Sequence, residues 1–144
     1  MSKDKVDFMD MGKDAYEATT QGIRVSVQPF YLEDESEPEK GHYFWAYQVQ
    51  IENQRPDTVQ LKSRYWRITD SLGRTEEVHG EGVVGEQPII EPGHAFEYTS
   101  GAPLATASGF MAGYYKIYKD DGSSFEVEIP AFSLDSPYDS HTLN

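Results

Sequence analysis

Phe44-Trp45-Ala46-Tyr47-Gln48-Val49-Gln50-Ile51-Glu52 is the stretch that decides the fold. In an extended chain successive side chains point to opposite faces. Trp45, Tyr47, Val49 and Ile51 therefore share one face, and Phe44, Ala46, Gln48, Gln50 and Glu52 share the other. One apolar face and one mostly polar face are the mark of a strand packed on a core. Asn53-Gln54-Arg55-Pro56-Asp57 then supplies turn chemistry. A partner strand follows over Val59 to Thr69, where Val59 and Leu61 have one parity and Trp66 and Ile68 the other. Both pairs can face one core only if the strand carries an extra residue, so a β-bulge is expected between Lys62 and Tyr65.

The same alternation extends outward in both directions. Ile23, Val25 and Val27 alternate with polar residues up to Pro29, which marks either an edge strand or the end of that strand. Glu33, Asp34, Glu35, Glu37 and Glu39, with Pro38 among them, form a solvated acidic loop. Asp70-Ser71-Leu72-Gly73 is a turn before a short strand, Thr75 to His79, and a Gly/Pro-rich stretch, Gly80 to Gly93. His94, Phe96 and Tyr98 alternate again, and the small residues of Ser100 to Gly109 read as loop. Phe110 to Lys119 and Ser124 to Ile129 form a hairpin around Asp120-Asp121-Gly122. Pro130 is expected to stop that ladder, with Phe132 and Leu134 clipped onto the core. No segment has helical spacing over three turns, and 12 glycines and 8 prolines punctuate the chain. The expectation is one all-β domain, an antiparallel β-sandwich of about seven or more strands over residues 16–134. Residues 1–15 and 135–144 read as a flexible N-terminal tail and a polar C-terminal tail.

Composition narrows the function classes. The 144 residues carry 25 acidic and 12 basic side chains, a formal charge of −13, which excludes a broad electrostatic grip on nucleic acid. There is no cysteine, hence no disulfide framework, thiolate metal site or cysteine nucleophile. No apolar run approaches the ~20 residues of a membrane span, and the charged start lacks a signal peptide's apolar stretch. A cytoplasmic protein without membrane insertion is expected.

Three constellations could carry chemistry. Gly80, Gly82 and Gly85 spell G-x-G-x-x-G, a phosphate-binding pattern when it opens a helix. Here Pro88 and Pro92 follow, so no helix can form, and Glu81 and Glu86 would repel a phosphate. The glycines are then expected to serve backbone geometry, with Val83 and Val84 folding back on the sandwich or meeting a partner. Arg55, Lys62, Arg64, Arg67 and Arg74 fall within twenty residues holding only Asp57 and Asp70 as acids, whereas Thr75 to Tyr115 has six glutamates and no Lys or Arg. Arg64 and Arg67 could meet an anion or pair with Glu76, Glu77 or Glu81; they have opposite parity unless the bulge realigns them. His79 could share a strand face with Glu77 or Glu81 as a weak metal candidate, though no ligand pair has the spacing of a strong site. No nucleophile–base–orienter set is visible, no cofactor is implied, and a non-enzymatic role is expected.

Several longer strings resemble the bacterial ApaG family. They are Arg64-Tyr65-Trp66-Arg67-Ile68-Thr69-Asp70, Val78 through Pro88, Tyr98-Thr99-Ser100-Gly101 and Gly109-Phe110-Met111-Ala112-Gly113-Tyr114. Thr20-Gln21-Gly22-Ile23 and Ile129-Pro130-Ala131-Phe132-Ser133-Leu134 fit the same pattern. Tyr65 departs from it, standing where a histidine is common. The resemblance implies a fibronectin type III-like sandwich and brings no established reaction. It associates the chain with cobalt resistance and magnesium efflux, and with a gene neighbouring a diadenosine tetraphosphate hydrolase. Similar domains appended to F-box proteins and to a DNA polymerase delta-interacting protein imply protein–protein contacts. The leading expectation is thus a binding module for a protein partner. The alternative is a sensor of a nucleoside polyphosphate or pyrophosphate at Gly80, Gly82 and Gly85, assisted by Arg64 or Arg67.

Overall fold

A computed structural model describes residues 15–138. The N-terminal segment before Ala15 and the end of the C-terminal tail lie outside the described residues. Among the described residues nine strands run in chain order: β1 Tyr16–Thr20, β2 Ile23–Tyr31, β3 Tyr43–Asn53, β4 Val59–Asp70, β5 Thr75–Glu81, β6 Ile89–Ile90, β7 Ala95–Leu104, β8 Ser108–Lys119 and β9 Ser124–Asp135. They form two antiparallel sheets, β1-β2-β3-β7 and β5-β4-β8-β9, with β6 added to β4. This is the antiparallel β-sandwich that the strand alternation predicts, with the fibronectin type III-like architecture that the family resemblance implies.

β3 buries Trp45, Tyr47, Val49 and Ile51 and leaves the intervening residues half-exposed. Across the gap, Leu61, Trp66, Tyr115, Ile117, Val127 and Phe132 complete the core. Trp66 packs edge to face on Tyr47 and Phe132, which meet each other at a tilt, with ring centroids 5.3 to 6.0 Å apart. Such pairs add ~0.5–1.5 kcal/mol each beyond the area they bury.

Several strand limits differ from the expectations: β5 runs on to Glu81 and β6 lies within the Gly/Pro-rich stretch, and three further differences have a backbone reason. Pro29 does not end β2, which runs to Tyr31. Its register partner is Tyr47, and the bond from Leu32 N–H to the Phe44 carbonyl assigns the ladder bonds to the even residues of β2. The nitrogen of Pro29 therefore faces away from β3, beyond the last β1 partner of β2, Tyr16 opposite Val27. Pro130 does not stop β9. Met111 pairs with Phe132 but Gly113 with Ile129, so Pro130 and Ala131 together oppose Ala112 in a bulge. Ser100 to Gly109 is not all loop: β7 continues to Leu104 and β8 begins at Ser108. Pro103 is tolerated there because β7 is an edge strand and its nitrogen points outward.

The acidic segment is a compact turn. Ser36 Oγ donates to the Leu32 carbonyl and accepts from Phe44 N–H, and a short 3-10 turn, Pro38–Lys40, follows. At the other end of β3, buried Asn53 donates to the carbonyls of Asp57 and Ile90 and accepts from Arg55 N–H. That side chain fixes the β3–β4 turn against β6. Ser136 N–H bonds the Ala107 carbonyl and the Tyr138 hydroxyl donates to Glu33, which holds the last described residues on the domain. The sandwich is closed on one side, where β1 packs along β9, and its other two edge strands are β5 and β7.

Candidate functional site

The predicted bulge lies at Lys62, at the start of the expected interval: Leu61 pairs with Ile117 and Ser63 with Lys116. Because it precedes both arginines, it does not realign them. Arg64 lies opposite buried Tyr115 and shares the inner face with Trp66, whereas exposed Arg67 lies on the outer face opposite Glu77. Neither arginine forms an ion pair among the described residues, so the expected pairing with β5 glutamates does not occur.

Arg64 instead braces the glycine segment. Its register partner across β5 is Gly80, and a Cβ there would sit 2.6 Å from Cζ of the guanidinium. The missing side chain lets Arg64 pass and donate from Nη1 to the carbonyls of Glu81 (3.1 Å) and Gly82 (2.9 Å). The bulge is strapped down by the same segment. Gly82 N–H and Gln87 Nε2 both donate to the Lys62 carbonyl, and Leu61 N–H donates to the Pro88 carbonyl. The groups that a bulge takes out of the ladder are thus satisfied.

The loop's tip is a two-residue hairpin. Val83 and Glu86 exchange both backbone hydrogen bonds, at 2.8 and 2.9 Å. Val84 (φ 43°) and Gly85 (φ 82°) both adopt left-handed conformations, as a type I′ turn requires. Gly82 (φ 66°) lies so close to Glu86 that a Cβ would collide with its carbonyl. Val83 is fully buried and anchors the hairpin, while Val84 is half-exposed at the tip. The amides of Gly82, Val83 and Glu86 are all committed within the protein. A phosphate cradle presents its amides outward.

Within the core, Tyr47, Tyr98 and Tyr115 converge, and the hydroxyls of Tyr98 and Tyr115 bond each other. Burial pushes all three pKa values up, outweighing the pull of the nearby Arg64 charge. Nothing in the sequence marked this cluster, because tyrosines at core parity read as packing. On the outer face an open cleft of about 430 Å³ is floored by Tyr65, which stacks on Tyr114 at 5.0 Å and meets His79 at 4.8 Å. His79 Nε2 lies 3.9 Å from Glu77. Glu81 does not complete a site, for no group of three His, Cys, Asp or Glu residues suited to a metal is gathered among the described residues.

Fold and loop together define an antiparallel β-sandwich that displays a glycine-built hairpin just after β5, against the β4 bulge. Residues 33–119 match the ApaG domain family. The Protein ApaG of Brucella anthropi is 60% identical over 129 residues, 90% of this chain and 99% of its own length; that of Brucella canis is 57% identical over the same span. Among solved structures, a Bordetella pertussis protein described as ApaA is 44% identical, with a TM-score of 0.77 over 85% of this chain and 97% of its own. Structural-genomics target SoR45 is 39% identical, also at 0.77, over 83% and 91%. The chain belongs to the ApaG family.

Two outcomes follow from this geometry. Tyr47, Tyr98 and Tyr115 should stay protonated while the fold holds. Their folded pKa values lie above the ordinary tyrosine value near 10, so the stability they contribute is full below that pH and is lost as pH rises above it. Tyrosinate absorbance on alkaline titration should show a late cooperative step coincident with loss of near-ultraviolet circular dichroism; early, independent ionisation would contradict the buried cluster. Separately, Gly82→Ala should destabilise the ligand-free protein by more than about 1 kcal/mol, because left-handed strain and the Glu86 collision add. An unshifted melting curve would refute that role.

Proposed function

We propose that the protein is a non-enzymatic binding module that uses the Val83–Glu86 hairpin to engage a protein partner in the cytoplasm. The observation that carries this reading is Val84. A β-branched residue in the left-handed region costs about 1–2 kcal/mol, and asparagine or glycine would relieve that cost. Yet an apolar valine is held there, half-exposed, by Val83 in the core and Arg64 beneath. Strain of this kind persists where surrounding structure over-determines it, and it gathers at recognition sites. The acidic β5 edge alongside would steer a basic partner. On this reading the cobalt and magnesium phenotypes associated with ApaG are exerted through that partner.

Affinity capture from cell extract tests it, using the protein, its Val84→Asn variant and an unrelated β-sandwich of equal charge. Val84→Asn suits the turn, so it should fold at least as stably while losing the partner that the unchanged protein retains. Recovery of no specific partner at several salt concentrations would contradict the proposal. Calorimetric titration with ATP and diadenosine tetraphosphate, with and without Mg²⁺, should give no saturable heat. Saturable binding abolished by Gly82→Ala would favour the nucleotide reading instead.

A further inference from the structure

The two open sheet edges, β5 and β7, differ in a way the hairpin does not explain. β5 guards itself with Glu76, Glu77 and Glu81, the usual defence of an edge against added strands. β7 carries one charged residue, Glu97, in ten. Asn53 N–H donates to the His94 carbonyl directly opposite it, so the even residues of β7 bond β3. The amides of Ala95, Glu97, Thr99 and Gly101 therefore point outward, and Ala95, Thr99, Gly101 and Pro103 are exposed. Among the described residues no strand pairs with this edge.

An apolar groove adjoins it. On the outer face, Leu32, Phe44 and Pro103 align across β2, β3 and β7, beside a second row of Phe30, Ala46 and Gly101. The groove is about 370 Å³, almost wholly apolar, and bounded at one end by Glu35. Exposed Phe30 extends it. Glu33, Asp34, Glu37 and Glu39 crowd the same turn, balanced only by Lys40.

We propose that the β1-β2-β3-β7 sheet is extended at β7 by an added strand, an extended segment of a partner protein with alternating apolar residues and flanking Lys or Arg. Backbone bonds to the outward amides would fix its register, as in other strand additions. An apolar side chain would pack over Pro103 into the groove beside Phe44, and a flanking basic one would meet Glu35. Charge selects this occupant over a second copy of the chain, since pairing two β7 edges would bring together two protomers of formal charge −13. The inference shares with the preceding reading only the premise that a protein partner exists, and it concerns a different surface.

The test uses the full chain and two capped decapeptides that share an alternating valine–threonine centre, one flanked at both ends by lysine, the other by glutamate, followed by fluorescence anisotropy. The lysine peptide should bind, more weakly at high salt, and the glutamate peptide should not. Thr99→Pro removes one outward amide, and Glu35→Lys inverts the charge at the groove's end while leaving the core untouched. Each should weaken the lysine peptide about tenfold or more, and Glu35→Lys should improve the glutamate peptide. Val84→Asn should change neither, so this inference and the hairpin reading fail separately. Equal binding of both peptides, no binding of either, or indifference to both edge variants would overturn it, as would concentration-dependent dimerisation abolished by Thr99→Pro.

Discussion

One extra residue in β4 governs the arrangement around the hairpin. Lys62 lets Val59 and Leu61 share the core with Trp66, and it turns Arg64 inward behind them. A bulge frees backbone groups that must find partners. The glycine segment supplies them through Gly82, Gln87 and Pro88, and Arg64 ties the same segment from below. Bulge, arginine and hairpin thus form one unit. G-x-G-x-x-G is the spacing that unit demands: Gly80 makes room for Arg64, Gly82 approaches Glu86, and Gly85 closes the turn.

That unit explains why a phosphate-like motif is legible in the sequence while its meaning is not. Motif spacing records where side chains are absent and is silent on whether the vacated space faces a ligand or another part of the chain. Here Arg64 fills it at Gly80 and the Glu86 backbone fills it at Gly82. The left-handed backbone of Val84 left no signal, because Val-Gly is not a turn dipeptide; only the committed positions on either side force it into that region.

Much of the fold was readable. The alternation in β3, the parity conflict in β4 and the Asp121-Gly122 turn of the β8–β9 hairpin each state a local rule that the structure obeys. The misread segments are those where a local breaker was absorbed by its place in the sheet. Pro29 and Pro103 sit where no ladder bond is asked of them, and Pro130 sits in a bulge. Whether a proline lies at an open edge depends on long-range pairing, which a single strand's pattern cannot carry. The apolar row of Leu32, Phe44 and Pro103 did have a trace, in Phe44 and Ala46 on the otherwise polar face of β3.

The central claim is that the glycine segment is a closed, braced hairpin before any ligand arrives. Amide hydrogen exchange of Gly82, Val83 and Glu86 in the ligand-free protein measures this most directly. Protection at these three amides comparable to that of the adjoining β4 amides is the predicted result. Exchange at the rate of an open loop, with protection appearing only on addition of a nucleotide, would contradict the account.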